Sequence, residues 1–479
     1  MAANPASFWP YSRPVDSADP SVVPNWLEGI KRRKRRMKRK PRSKADPIER
    51  QIESAFRPGT FIRDGECFSF VSRLEEVAAT IDTLVAAEPA RAVALYEAFL
   101  AGCHAKADEL DDSSGSFGQF AQDLICCWIK SRQAMGADPH TTASILVAWM
   151  DDDPYAFCYQ IEKNAAAAFD KPGLAALERQ IRERFDAASG DTSSWTYRRM
   201  AEILRAIHVA QRDIQAYIAL AEQTELKPED CLAVAKLFVP REPNEALAWV
   251  GRGRALDRKS QFRSTAAYDL DKLHRELLSK LGRADEALEA AWADFRKHPS
   301  KFTYDDLMQL VPKTERTAWH EKALNAASGA NLQARLELFT ETKETDRLAD
   351  LVRGCSDEAL EEVSHYTTEP AAKRLEKNHP GLAARLWRAQ GMRIVDVKKS
   401  KYYDAALSNF ERARDCYQRA GLATEWEQTV RRVCALHYRK TGFIGGFHGL
   451  AAGAKRSEQP SFLERAKTRW GVRHGRDAC

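Results

Sequence analysis

Several features that mark enzymes and membrane proteins are missing from this sequence. No run of about 18 apolar residues occurs, which argues against a membrane-spanning helix. No HExxH, G-x-S-x-G or P-loop motif is present, and "GRGRAL" at residues 251–256 follows a helical pattern instead of a strand, so it is not a dinucleotide fingerprint. The sequence therefore predicts no catalytic residues, no cofactor and a protein that is not an enzyme.

Signals for β-structure are also scarce. Convincing alternation of apolar and polar residues is absent, and β-branched residues are few, whereas Ala, Leu, Glu and Arg abound. From Phe70 to Val85, apolar residues recur every three or four positions with charged residues between them, which predicts an amphipathic helix. The same spacing continues to about residue 440, with short polar breaks. We therefore predict an all-α protein built of antiparallel helical hairpins.

A finer pattern suggests that these hairpins repeat. Four helices share a pattern of three positions on one face, with Ala at position i and further residues at i+4 and i+7. The four sets are Ala92/Tyr96/Phe99, Ala246/Val250/Gly253, Ala287/Ala291/Asp294 and Ala406/Phe410/Ala413. The segment "LGRADEALEAAWADFRKHP" resembles the second helix of a tetratricopeptide repeat. The sets lie 154, 41 and 119 residues apart, which fits no period of about 34 residues. We predict an irregular TPR-like α-solenoid; an ordinary helical bundle is the alternative.

Composition divides the chain into four regions. Residues 1–45 form a Pro-rich, basic segment that we expect to be disordered. Residues 46–188 form a predicted N-terminal helical domain, and residues 189–440 the repeat array. The boundary follows the Gly, Ser, Thr and Asp cluster "DAASGDTSS" at 186–194. Residues 441–479 form a Gly-rich and then basic C-terminal extension.

The segment "KRRKRRMKRKPRSK" is the strongest local signal. It contains eleven cations and no acidic residue: Lys31, Arg32, Arg33, Lys34, Arg35, Arg36, Lys38, Arg39, Lys40, Arg42 and Lys44. The rest of the chain carries 63 cationic against 68 acidic residues, a net charge of −5. Such a block is predicted to bind phosphate backbones of DNA or RNA, without sequence readout. Another anionic partner, a localisation signal or an unused solvated segment are the alternatives.

Cysteine usage indicates the compartment. Apart from the adjacent Cys126 and Cys127, the ten cysteines are widely spaced, and no secretory signal is visible. We therefore expect free, mostly buried thiols in the cytoplasm. Cys434 and His437 could share one helical face and reach one metal ion. Cys416 is expected on the preceding helix and His448 in a Gly-rich loop, so no complete ligand set is visible and we predict no metal site.

Three further groups of candidate ligands are weaker. Cys103–His104 and Cys126–Cys127 are adjacent pairs, whose side chains point about 100° apart on a helix. The acidic clusters "DELDDSSGS" and "MDDDPY" could bind cations, but each falls at a helix junction. Asp and Ser cap free helix amides there, so we interpret both clusters as caps.

Several segments in order resemble a known group of proteins. They are "IERQIESAF", "FSFVSRLEEVAATIDTLV", "AVALYEAFLAG", "DDSSGSFGQFAQDLICCWIKSRQAMGADP", "YYDAALSNFERARDCYQRAG" and "ALHYRKTGFIGGF". Together they resemble an uncharacterised bacterial helical family, often found as the C-terminal region of SWIM-type zinc-finger proteins, over roughly residues 46–450. The resemblance implies an all-helical, repeat-like fold and no established activity. A SWIM finger needs Cys-x-Cys, which this chain lacks.

These observations predict a non-catalytic helical-repeat scaffold. We expect a protein partner in the groove of the array and an anionic partner, DNA or RNA, on the basic arm. The alternative is an enzyme or metal-dependent module whose site residues come together only in the fold. A cluster of Cys, His and Asp residues within coordination distance would favour that alternative.

Overall fold

The computed structural model describes residues 46–397 and 400–453, and this part of the chain is α-helical without any β-strand. The basic segment 31–44 lies outside the described residues. The α-helices, in chain order, are α1 Pro47–Ala55, α2 Asp64–Asp82, α3 Pro89–Lys106, α4 Ser116–Ala134, α5 Pro139–Asp151, α6 Glu162–Ala168, α7 Lys171–Ala187, α8 Trp195–Gln211, α9 Ile214–Gln223, α10 Pro228–Phe238, α11 Pro243–Lys259, α12 Ala267–Lys280, α13 Ala284–Lys297, α14 Lys301–Leu310, α15 Arg316–Ala326, α16 Leu332–Glu341, α17 Thr345–Gly354, α18 Asp357–Glu362, α19 His365–Leu375, α20 Pro380–Asp396, α21 Tyr403–Arg419, α22 Ala423–His437 and α23 Thr441–Ala451.

Helix starts follow the local sequence. Asp138, Asp170 and Ser194 each accept a hydrogen bond from the backbone N–H three residues later, at 2.8, 2.9 and 3.2 Å. Such caps satisfy amides that the first helical turn leaves unbonded. Pro occupies the first position of α3, α5, α10, α11 and α20, where its missing N–H costs nothing. None of the described helices is long and apolar enough to cross a membrane.

The part of the chain that the structure describes divides into two compact units, with the boundary between Leu277 and Leu278. Within each unit, helices pack mainly against their neighbours in sequence, most extensively α3 on α4 and α10 on α11 in the first unit, and α20 on α21 in the second. The all-α prediction and the prediction of hairpins packed in an irregular repeat are confirmed. The predicted domain boundary at 188/189 lies inside the first unit, where the Phe185 and Tyr197 rings stack with centroids 4.5 Å apart. The partition into 46–188 and 189–440 stays a prediction.

The first unit has an aromatic core. Phe99 contacts Phe56 and Phe120 edge-to-face, with centroids 5.5 and 5.4 Å apart. Trp128 of α4 and Trp149 of α5 pack with centroids at 4.4 Å. Large rings of this kind bury much apolar area and join consecutive helices.

The four sets of small and large residues lie where the helices meet. Their first two members are all buried. Gly253 packs so closely that an added Cβ would lie 2.8 Å from Cys231 Cβ. Asp294 is the exception, because it is half exposed and the neighbouring Phe295 is buried instead. The pattern therefore identified helix–helix contacts, with an error of one residue in one set.

The Gly-rich start of the C-terminal extension is helical. Phe443, Phe447 and Leu450 fall on one face of α23 and are buried, and Phe447 contacts Phe410 of α21 with centroids at 5.0 Å. The expectation that His448 lies in a loop is therefore wrong. Burial of these large side chains on one face compensates for the poor helix propensity of the glycines between them.

Candidate functional site

The predicted nucleic-acid-binding residues cannot be placed relative to the fold, because Lys31 to Lys44 precede the first described residue. The remaining candidates all lie in described helices or their connections.

The candidate metal ligands do not come together. Cys416 lies on α21, where its Sγ accepts a hydrogen bond from Arg419 Nη2 at 3.0 Å. His437 on α22 is buried, its ring edge contacts Phe443, and burial lowers its pKa. Cys434 shares that helix, and His448 lies on α23. In the described ranges, no group of three or more His, Cys, Asp or Glu side chains could hold a metal ion.

The acidic clusters cap backbone amides, as their interpretation predicts. Asp112 accepts from the N–H groups of Phe117 and Gly118 at 2.9 and 2.8 Å, at the start of α4. Asp153 accepts from the N–H groups of Phe157 and Cys158 at 2.9 and 2.6 Å, in the turns before α6. These carboxylates therefore accept hydrogen bonds from backbone N–H groups that would otherwise lack an acceptor.

One constellation that sequence order conceals is a Tyr–His–Glu chain in the second unit. Tyr304 Oη lies 2.6 Å from His320 Nδ1, and His320 Nε2 lies 3.0 Å from Glu344 Oε1. The three side chains come from α14, α15 and the residue before α17, and all are half buried. Burial and the nearby Asp305 and Glu344 carboxylates raise the pKa of Tyr304. A proton could move along this chain, and the chain also joins three helices.

An arginine-lined cleft lies in the second unit. It lies between the N-terminal half of α20 and one face of α22, with Tyr417 of α21 also in its wall, and has a volume of about 480 Å³. Its four arginines are Arg353, Arg385, Arg388 and Arg432. Asp357 and Glu425 are the lining carboxylates. Asp350, Glu358 and Glu361, which are not among the lining residues, also pair with these arginines. The positive end of the α20 dipole lies at the cleft.

Arg385 is fixed to the N-terminus of α18. Its Nε donates to Asp357 Oδ1 at 2.9 Å, and its two terminal nitrogens donate to the backbone carbonyls of Val352 and Cys355 at 2.7 and 2.6 Å. Every edge of this guanidinium is thus occupied. The Arg385 and Arg388 guanidinium groups hold the pKa of Asp357 below its usual value, although burial opposes them.

Arg388 is different, because its hydrogen bonding is incomplete. Only 7% of it is exposed. Its Nη1 donates to Asp357 Oδ2 at 2.5 Å, whereas Nη2 lies 3.7 Å from Glu361 Oε1, beyond hydrogen-bond distance. Among the described residues, no group hydrogen bonds to Nε or Nη2 of Arg388, and none to Glu361 Oε1. A buried guanidinium with open donors is costly unless something completes its bonding.

Arg432 lies near the other end of this charge cluster. Its Nη2 donates to Glu361 Oε2 at 3.1 Å and lies 3.3 Å from Glu358 Oε1. Burial raises the pKa of Glu361 in spite of the two neighbouring arginines. Glu361 therefore lies between Arg388, at 3.7 Å, and Arg432, at 3.1 Å.

Sequence reasoning missed this cleft. The sequence signal for it is the segment "ARLWRAQGMR", which places Arg385 and Arg388 one turn apart among mostly apolar and small residues. Arginine inside such a face indicates a paired or ligand-binding cation. The partners could not be identified, since Asp357 is 31 residues before Arg388, and Arg432 is 71 residues after Glu361.

Comparison with known proteins gives a family and no activity. No curated protein matches the sequence. A solved structure described as a circular tandem repeat protein with novel repeat topology and enhanced subunit contact surfaces is similar at 13% identity, over 89% of this chain and 96% of that one, with a TM-score of 0.16. Neither result refers to SWIM-type zinc-finger proteins, so that part of the resemblance stays a prediction. The profile of a family of unknown function, DUF6880, matches residues 31–445, and the chain therefore belongs to that family.

Proposed function

We propose that the protein is a non-catalytic scaffold whose stacked helical hairpins bind a protein partner. The observation that carries this proposal is the uninterrupted succession of hairpins in each unit, since such arrays present extended surfaces. Exposed rings support it: Phe302 on α14 is 76% exposed and Tyr366 on α19 is 81% exposed. Aromatic side chains in such positions are common anchors in protein interfaces.

The basic arm is proposed to hold nucleic acid. Eleven cations stand within residues 31–44, while the rest of the chain is mildly acidic, so the attraction for phosphate backbones is local. The region that matches the family begins at residue 31 and includes this segment. We place the protein in the cytoplasm, where nucleic acid is available to such an arm.

A salt titration tests this role. We expect duplex DNA to bind the full chain with a log–log salt slope of at most about 10, because each neutralised phosphate contributes about 0.9. Deleting residues 31–44 should remove most of the affinity and leave the melting temperature nearly unchanged. A variant with the same fourteen residues in scrambled order is the matched control, and it should bind like the natural chain.

Two results would count against the arm. If the deletion variant binds DNA and RNA as well as the full chain, another surface holds the nucleic acid. If the deletion unfolds the protein, the arm contributes to the fold. A pull-down from cell lysate, with and without nuclease, would then separate protein partners of the hairpins from partners held through nucleic acid.

A second candidate is an enzyme, favoured by the Tyr304–His320–Glu344 chain. An acid–His–hydroxyl order is one that activates nucleophiles. Hydrolysis of p-nitrophenyl acetate by the natural chain and by His320→Gln tests it. A rate that falls at least tenfold in the variant would support catalysis, and equal rates would leave the three residues a structural link between helices.

A further inference from the structure

The scaffold proposal gives no role to the arginine-lined cleft. Its cations converge from α17, α20 and α22 on one cavity of about 480 Å³, a size typical of small-molecule sites. Arg388 lines this cavity and is more than nine-tenths buried, and its Nε and Nη2 have no hydrogen-bond partner among the described residues. We infer that the cleft binds a phosphate group, either as the free anion or as a phosphomonoester.

The donors favour an oxyanion. A guanidinium fork pairs with the oxygens of phosphate or carboxylate through parallel N–H···O bonds. Asp357 already shows this chemistry within the chain, since its two oxygens bridge Arg385 and Arg388 at 2.9 and 2.5 Å. A bound oxyanion would pair in the same way with the exposed part of Arg432, beside the Arg388 guanidinium.

Phosphate fits this cleft better than a carboxylate does. The first turn of α20 lines it at Pro380 and Gly381, and the positive end of the helix dipole favours the more highly charged anion. The side chains of Gln428 and Thr429 add neutral polar groups on the α22 side. A group with several oxygens can bond to both helices at once, whereas a carboxylate has only two.

Neighbouring carboxylates neutralise part of the positive charge of the arginines. Both Asp357 oxygens are bonded to arginines, and Glu361 pairs with Arg432 at 3.1 Å. Glu361 Oε1 faces Arg388 Nη2 from 3.7 Å. An anion in the cleft would therefore compete with Glu361 for Arg388 and Arg432, because Arg385 is fully bonded and Arg353 pairs with Asp350.

Calorimetric titration of the full chain with inorganic phosphate and with phenyl phosphate tests the assignment. Arg432→Gln should weaken binding of both by about tenfold or more, because it removes a charge-assisted hydrogen bond. Arg431→Gln is the matched control: Arg431 is the adjacent residue on α22, is 72% exposed, and does not line the cleft. It removes the same charge and keeps the basic arm.

The outcomes separate clearly. Saturable binding that Arg432→Gln weakens and Arg431→Gln spares supports the site. Equal affinity for the two probes would then indicate the free anion, and tighter binding of phenyl phosphate a phosphomonoester. Absence of saturable binding, or equal weakening by both substitutions, overturns the assignment. Arg388→Gln should abolish binding where circular dichroism shows that it folds. This test is independent of the scaffold proposal, since neither substitution alters the arm or the exposed rings of α14 and α19.

Discussion

A buried charge occurs in both units, but its surroundings differ. In the first unit, Asp230 is 3% exposed and accepts hydrogen bonds from Arg205 Nε, Tyr217 Oη and Lys227 N at 2.7, 2.9 and 3.0 Å. In the second, Arg388 is almost as buried, yet Nε and Nη2 have no hydrogen-bond partner among the described residues. A completed network fixes helices in place, whereas an incomplete one leaves donors for a ligand.

The largest effect should follow from breaking the complete network. Asp230→Ala leaves the Arg205 guanidinium and the buried Tyr217 hydroxyl without their acceptor. Removing one partner of a buried ion pair costs about 3–5 kcal/mol. We expect the free energy of unfolding, measured by urea denaturation, to fall by that amount.

Asp269→Ala provides the comparison within the same unit. Asp269 pairs with Lys236 at 3.4 Å, but both side chains are more than half exposed. Exposed pairs of this kind contribute at most about 1 kcal/mol. Similar losses for Asp230→Ala and Asp269→Ala would show that the Asp230 network does not hold the first unit together.

The next effect depends on pH. His104 lies between Tyr155 and Phe157, with centroids at 5.4 and 5.0 Å, and burial lowers its pKa to about 4. The unfolded chain gains this proton near pH 6.5 and the folded chain only near pH 4, so stability is lost as the pH falls between these values. At pH 5 the loss should be about 2 kcal/mol.

Denaturation at pH 7 and at pH 5 measures this dependence. His104→Gln should reduce the difference between the two pH values by about 2 kcal/mol, and His140→Gln, on an exposed position of α5, should not. His208 and His437, whose pKa values burial also lowers, stay in both variants and keep part of the slope. If His104→Gln leaves the difference in unfolding free energy between pH 7 and pH 5 unchanged, the His104 ring of the natural chain takes up a proton in the folded state as readily as in the unfolded state.

A smaller effect tests whether the second unit is loosely packed around Arg388. A Cβ on Gly391 would lie 2.7 Å from Phe410 Cε2, a ring atom of a buried side chain, whereas a Cβ on Gly445 would meet nothing within 4 Å. Gly391→Ala should therefore destabilise by about 1–2 kcal/mol. Gly445→Ala should stabilise by up to about 1 kcal/mol, since Ala has the better helix propensity. Two stabilising substitutions would indicate room at the α20–α21 contact.

The helices were predictable because their signal is local. Each local pattern marks the face of a helix that packs against a neighbouring helix. Examples are the apolar spacing in α2 and the Ala-based sets in α3, α11 and α21. The start of α23 escaped prediction because glycine dominates its local propensity, while its stability comes from Phe443 and Phe447 packing on α21. The cleft escaped for a similar reason, since Asp357, Arg388 and Arg432 meet only through tertiary packing.

Hydrogen–deuterium exchange of the full chain, with and without inorganic phosphate, compares the two buried charges most directly. Phosphate should slow exchange in peptides covering residues 380–388 and 425–432, where the cleft is lined by α20 and α22. Peptides covering 205–230, around the completed Asp230 network, should exchange at the same rate in both conditions. Unchanged exchange at the cleft, or equal slowing in both regions, would contradict the view that the open donors of Arg388 serve a ligand.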